Sequence, residues 1–334
     1  MPAPMPVPWR AHAETDLVGE GRACGKVILL GEHAVVYGAP AVAIPVPALP
    51  VEASAAWSGS LARQDEISLL TTAVVDTSVL TLGTDGLHRL ISAFRKIAGV
   101  RETAWVDVCV DCEIPFGRGL GSSAAHARAV VLALGELFGR QLDDRAIFDL
   151  VQIAENVAHG NASGVDAAAV GSPVPILFSD RVAERLSVGF DGVVVVADSG
   201  VAGKTKDAVE LLRQRFERAP ESRMDFMGRS ADLTYAAVKE LTEGRARDFG
   251  SSLTAAHELL RGMGLSTDLI DRLVDVALDA GSLGAKITGG GLGGCAIALA
   301  RGLETAGMIA RRLEEAGAVR TWSAPLRRCV DDGG

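Results

Sequence analysis

Pro115-Phe-Gly-Arg-Gly-Leu-Gly-Ser-Ser-Ala-Ala-His126 is the stretch from which the rest of the chain is read. Glycines at 117, 119 and 121 strip the Cβ atoms from one edge of a loop, and two hydroxyls, Ser122 and Ser123, follow at once. Upstream, Val106, Val108, Val110, Cys112 and Ile114 alternate with Asp107, Cys109, Asp111 and Glu113, the period of a half-buried strand. Downstream, Ala125, Val130, Val131, Leu134, Leu137 and Phe138 give an apolar helical face over 124–138. The order is strand, glycine loop, helix N-terminus. Such a terminus gathers unpaired N–H groups and a partial positive charge of about half a unit. Without side chains, the loop backbone can come within hydrogen-bonding range of an anion.

The kind of anion follows by elimination. No lysine lies between Gly117 and Ser123, so the P-loop pattern G-x-x-x-x-G-K-[ST] is absent. Gly119 to Ala124 fits the loose dinucleotide form G-x-G-x-x-[GA]. The strand before it alternates, however, whereas a central parallel strand is nearly all apolar. A second helix, 147–158, also follows where a βαβ unit would place its next strand. A glycine turn with a serine N-cap remains the plain alternative; the favoured reading is a nucleotide-phosphate loop of a non-Walker type.

At 334 residues the chain is long for one core, which predicts two domains. The expected division is a disordered tail over 1–20, a first domain over 21–190 and a second over 191–334. The tail, Met1-Pro-Ala-Pro-Met-Pro-Val-Pro8, lacks the apolar run of a signal peptide. The wholly aliphatic run at 193–197 is far too short to span a bilayer. A net charge of −9 argues against nucleic acid and anionic membrane as partners, so an anionic ligand must be held by local positive charge. Five cysteines, at 24, 109, 112, 295 and 329, are odd in number. Cys109 and Cys112, three apart on a strand, point to opposite faces, so neither zinc nor a disulfide framework is indicated; a reducing, cytoplasmic setting is.

Along the chain, a strand is predicted over 22–30, a loop over 31–38, and further strand over 41–57 broken by Pro45, Pro47 and Pro50. Thr84 or Asp85 is the expected cap of a helix ending at Gly99, with Leu87, Leu90, Ile91, Phe94 and Ile97 as its stripe. Short strands are expected around Ile176 and over 192–197. Long charged helices run from Lys204 to about Asp279. Then come a strand over 284–288, a second glycine loop over 289–294, an apolar strand over 295–300, a helix over 304–315 and a last strand near Thr321. Together these make an α+β fold.

Lys26 opens an apolar strand, a place where lysine is often only a solvated end. Glu155 and Asp166 lie across a helix end and a turn; carboxylates so near in sequence are commonly surface. Here they flank His159, Asn161 and Ser163, between glycines at 160 and 164.

Three motifs are now in order: Gly25-Lys-Val-Ile-Leu-Leu-Gly-Glu-His-Ala-Val-Val-Tyr-Gly38, Gly117-Arg-Gly-Leu-Gly-Ser-Ser-Ala-Ala125, and Lys286-Ile-Thr-Gly-Gly-Gly-Leu-Gly-Gly-Cys295. Together they resemble the GHMP kinases, small-molecule kinases named for galactose, homoserine, mevalonate and phosphomevalonate. Residues 31–38 with 159–166 are similar to the mevalonate-phosphorylating branch. The resemblance implies a two-domain GHMP-kinase-like fold, S5-domain-2-like first and ferredoxin-like second. It implies that ATP and mevalonate are the substrates, that Mg²⁺ is the cofactor, and that the chain works in the cytoplasm as a monomer or homodimer. By the same resemblance Gly117, Arg118, Gly119, Leu120, Gly121, Ser122 and Ser123 bind nucleotide. Ser123 and Glu155 hold the metal, and Asp166 and Lys26 are catalytic. Lys26, Glu32, His33, Ser163, Asp166, Thr205 and Thr288 contact substrate. Cys24, Ala162 and Ala167 depart from the family's usual residues, which touches pocket shape and no assigned functional group. His12, His88, His126 and His257 read as surface or structural. Two alternatives stay open: another small-molecule kinase of the same family, against which Ala34-Val-Val-Tyr37 speaks, and a non-catalytic ligand sensor, which would need neither base nor lysine.

Overall fold

In a computed structural model of the chain, residues 18–57, 67–71, 77–100, 106–160 and 162–327 are described. Most of the expected tail, together with His12, Asn161 and Cys329, lies outside them. The first half carries β1 (Val18–Leu30), a 3₁₀ turn (Ala34–Tyr37), β2 (Ala41–Trp57), β3 (Ile67–Thr71), α1 (Thr77–Ala98), β4 (Val106–Cys112), α2 (Ser122–Leu137), α3 (Asp144–His159), α4 (Val165–Ala169), β5 (Ile176–Ser179) and β6 (Val182–Arg185). The second carries β7 (Gly192–Asp198), α5 (Thr205–Arg218), α6 (Pro220–Thr242), α7 (Ala246–Gly262), α8 (Asp268–Asp279), β8 (Gly284–Thr288), β9 (Cys295–Ala300), α9 (Leu303–Glu315) and β10 (Arg320–Leu326).

The first sheet runs β3-β4-β2-β5-β6, with β1 pairing antiparallel to β2. It is mixed: β4 pairs parallel to β3 and antiparallel to β2, which accounts for the alternation read in its sequence. Helix α2 lies on β1 and β2 and packs against α3. Ala124, Ala125, Ala127, Ala129 and Ala133 are fully covered beside Val130, Val131 and Leu134, so the helix can sit close to the sheet.

The second sheet has order β10-β7-β9-β8, all antiparallel, and its elements follow as a split βαβ arrangement of ferredoxin-like type. Both of its faces are covered. Val194, Val196, Ile297 and Leu299 join the core of the first half, while Val193, Val195, Ala296 and Ala298 pack with residues of α5, α8 and α9. Burial on both sides explains why β7 reads as an unbroken aliphatic run.

Three expectations move. Helix α1 starts at Thr77, ahead of Thr84 and Asp85, so neither residue is its cap. Strand β1 starts at Val18, and the 31–38 loop contains a 3₁₀ turn. Short β3 and β6, which the sequence reading passed over, border the first sheet. Among the described residues no helix is long and apolar enough to cross a membrane.

Candidate active site

The strand–loop–helix unit takes the form its glycines predict. Gly117, Gly119 and Gly121 have φ of 70°, 75° and 74°, a left-handed region costly to residues with a Cβ. Gly121 is the N-cap of α2, and no side chain bonds to that end, so the serine-cap alternative is not what forms. The first-turn N–H groups of α2 have no partner within the helix. Leu120 is the loop's apolar anchor: its side chain is buried in the core, and its carbonyl accepts from the Lys26 N–H at 2.9 Å.

Lys26 is no solvated strand end. Its side chain is 2% exposed, and its Nζ lies 2.9 Å from Asp166 Oδ1, whose side chain is 29% exposed. The same Nζ donates to the Gly119 carbonyl at 3.1 Å. One buried ammonium thus ties the glycine loop to the carboxylate on α4. Gly121 leaves it room, since a Cβ there would stand 2.8 Å from Lys26 Cγ.

Helix α3 aims Glu155 at the same point. Ser123 Oγ donates to Glu155 Oε1 in a short hydrogen bond, and His159 Nε2 sits 3.9 Å from Glu155 Oε2. Burial pushes the Glu155 carboxyl up to about 7; Asp166's negative charge adds to the rise, and the Ser123 bond and Lys26 oppose it. The loop between Glu155 and Asp166 is held from beneath by two residues the sequence reading did not name. Gln152 Nε2 donates to the Ala162 carbonyl at 2.8 Å, and Asn156 Oδ1 accepts from the Ala162 N–H at 3.1 Å. Their spacing of four on α3 was the available signal. Ser163 Oγ accepts from the Val165 N–H at 3.4 Å, leading into α4.

The remaining expected residues scatter in role. Thr205 opens α5 beside the second glycine loop, its Oγ1 2.0 Å from where a Cβ on Gly290 would sit. Glu32 is buried in an ion pair with Lys286 Nζ, which also donates to the Ile287 carbonyl at 2.6 Å. Its charge is therefore matched inside the protein. His33 is buried at φ 61°, and its imidazole is lowered to about 4 by burial and by the nearby Lys286, which keeps it neutral. Thr288 does not present its hydroxyl to the cleft: it donates to the Ile28 carbonyl at 2.8 Å and accepts from the Ile28 N–H at 3.1 Å, stapling β8 to β1. The Arg118 side chain turns to Asp198 at the end of β7. His257 is buried, its Nδ1 accepting from the Ile287 N–H at 3.3 Å, and His126 donates to the Ser122 carbonyl at 2.7 Å, so both are structural.

A backbone cradle at a helix N-terminus, a buried lysine and two convergent carboxylates describe a phosphoryl-transfer site. The family description "GHMP kinases N terminal domain" matches residues 87–172, and "GHMP kinases C terminal" matches residues 237–319. The chain belongs to the GHMP kinases, and within them it falls among the mevalonate kinases. It is 32% identical over 298 residues to the mevalonate kinase of Pyrococcus horikoshii, covering 83% of this chain and 87% of that one. To that of Archaeoglobus fulgidus it is 30% identical over 299 residues, covering 88% and 96%. The fold matches the crystal structure of the L. major mevalonate kinase with a TM-score of 0.82 at 22% identity, covering 93% of this chain and 97% of that one. It matches the mevalonate kinase of Staphylococcus aureus with a TM-score of 0.68 at 28% identity, covering 92% and 99%. Membership of a kinase family that uses ATP implies a divalent metal at the site.

Proposed function

We propose that this chain transfers the terminal phosphoryl group of ATP to the C5 hydroxyl of mevalonate, giving 5-phosphomevalonate and ADP, with Mg²⁺ as the metal. The observation that carries the reading is the Lys26 bridge, which holds the Asp166 carboxylate and the Gly119 carbonyl on one ammonium. A ligand sensor has no use for a buried lysine–carboxylate pair set against a phosphate loop.

Phosphoryl transfer asks the protein for position and charge more than for covalent work. The N–H groups of 117–123 and the N-terminus of α2 bind the nucleotide phosphates. Asp166 holds the acceptor hydroxyl and takes its proton as the oxygen bonds to phosphorus. Lys26 neutralises charge on the migrating group and, through its ion pair, holds the Asp166 carboxylate in place. Residues 21–190 supply all of these groups, and 191–334 closes the cleft with Thr205 and the 289–294 loop.

Ser123 and Glu155 fit a hard divalent cation. Two oxygens converge there, and a bound cation would offset the burial and the Asp166 charge that raise the Glu155 carboxyl. Among the described residues no cluster of three or more His, Cys, Asp or Glu side chains forms a complete metal cage. That suits Mg²⁺, which keeps waters and takes substrate phosphates as ligands. When bound, the ion offsets the charge of the β- and γ-oxygens. The thiols of Cys24, Cys109, Cys112 and Cys295 are free, as befits the cytoplasm.

A coupled assay of ADP release across mevalonate, phosphomevalonate, homoserine and galactose tests the substrate. Mevalonate alone is expected to support rapid, Mg²⁺-dependent turnover. Comparable kcat/KM with any of the others overturns the assignment. For the metal, Glu155→Gln keeps size and a hydrogen-bonding oxygen and removes the charge. The Mg²⁺ concentration for half-maximal rate is expected to rise by about tenfold or more, at least the effect of losing an outer partner of a metal. An unchanged Mg²⁺ titration would make Glu155 a bystander.

A further inference from the structure

Segment 198–204, between β7 and α5, is clasped by both glycine loops. On one side the Gly203 N–H donates to the Gly117 carbonyl at 2.8 Å. On the other, the Lys204 N–H donates to the Gly291 carbonyl at 3.0 Å, the Gly294 N–H to the Val201 carbonyl at 2.8 Å, and Ser199 Oγ to the Gly294 carbonyl at 2.7 Å. One side chain of the phosphate loop enters this assembly. Arg118 Nε lies 2.8 Å from Asp198 Oδ1, with the two side chains 17% and 4% exposed. Arg118 Nη2 donates to the Gly200 carbonyl at 2.9 Å, and the same Asp198 oxygen accepts from the Gly200 N–H at 2.8 Å.

We propose that Arg118 is a positioning residue: through Asp198 it fastens the phosphate loop to segment 198–204, and its charge is spent there rather than on nucleotide phosphate. The inference rests on the reading that 117–123 binds ATP. Three left-handed glycines in five residues leave the loop many conformations when unliganded. A cradle of N–H groups binds an anion well only if it is already shaped. A guanidinium fork reaches a carboxylate and a carbonyl together, which an ammonium cannot do with the same geometry. The nearly buried Asp198 makes the fastening costly to break, because removing one partner strands the other charge.

The test separates fastening from direct phosphate contact. Arg118→Met, Asp198→Asn, the double variant and Arg118→Lys are compared with the unaltered chain for ATP affinity, KM for each substrate, kcat and thermal unfolding. If Arg118 positions the loop, both single variants raise KM and Kd for ATP by about tenfold, the scale of one charged hydrogen bond. The double variant then raises them no further, KM for mevalonate stays within about twofold, and Arg118→Lys recovers part of the loss. The double variant, which strands no charge, decides the matter if a single variant unfolds: ATP affinity equal to that of the unaltered chain overturns the proposal. So does an Asp198→Asn variant that binds ATP as tightly as before, or tighter, while Arg118→Met binds it weakly, since Arg118 would then be touching phosphate. Failure of the unaltered chain to bind ATP would remove the kinase reading itself, and this inference with it.

Discussion

Asp166→Asn is expected to lower kcat by about 10²–10⁴ while the affinity for mevalonate changes little. Asparagine keeps the size and one acceptor oxygen of the aspartate, so the acceptor hydroxyl can still be held. It cannot take that hydroxyl's proton. The comparison decides between two roles: a base is irreplaceable here, whereas a residue that only orients the hydroxyl in a loose, metaphosphate-like transition state is served nearly as well by an amide. Steady-state kcat from coupled ADP release, with mevalonate affinity from calorimetry, reads the two apart. An asparagine variant within about tenfold of the unaltered enzyme would assign Asp166 to orientation. Thermal unfolding belongs in the same experiment, because the buried Lys26 Nζ trades a charged partner at 2.9 Å for a neutral one.

Lys26→Met carries the second large effect. Methionine reproduces much of the lysine stem against Gly121 and the core, and the backbone bond from residue 26 to the Leu120 carbonyl is untouched. The chain is therefore expected to fold. What goes is the positive charge beside Asp166 and the migrating phosphoryl group. A loss of about 10²–10³ in kcat is expected, the scale of one preorganised electrostatic contact in a site that excludes water. KM for mevalonate is expected to move far less than kcat. A Lys26→Met enzyme with ordinary kcat would separate the first motif from the chemistry altogether.

The parts of this molecule that were legible in its sequence are those whose cause is local. Strand β4, the glycine loop and α2 follow from one alternating run, three residues without Cβ and one helical stripe. Strands β8 and β9 were readable to the residue, because each is short and lies against the glycine loop over 289–294. The start of α1 was not: with Thr84 and Asp85 both plausible as caps, local chemistry pointed to a boundary inside the helix. The site divides in the same way. Motif order brought Lys26, Ser123, Glu155 and Asp166 to attention, and these four do converge. Glu32, Thr288 and Arg118, expected on ligands, each have a partner within the protein. Glu32 meets Lys286 across 254 residues, and Thr288 meets Ile28 across 260. A pairing at that range leaves no trace in periodicity or spacing, so the partner that satisfies a buried polar group stays invisible until the chain is folded. Gln152 and Asn156 were missed for the opposite reason: their effect on the 160–164 turn is local, but amides within a helix are too common to single out.

The contact between the two glycine loops also limits how this protein can be inherited. A Cβ on Gly119 would lie 2.9 Å from Gly289 Cα, and one on Gly289 would lie 2.8 Å from Gly119 Cα. Each position is therefore held to glycine by the backbone of the other loop, although the two are encoded far apart. A lone substitution at either meets the opposite backbone, which, unlike a side chain, has no rotamer by which to yield. Recombination that joins the first half of this chain to the second half of another can succeed only where both parents carry the same bare backbone at the crossing.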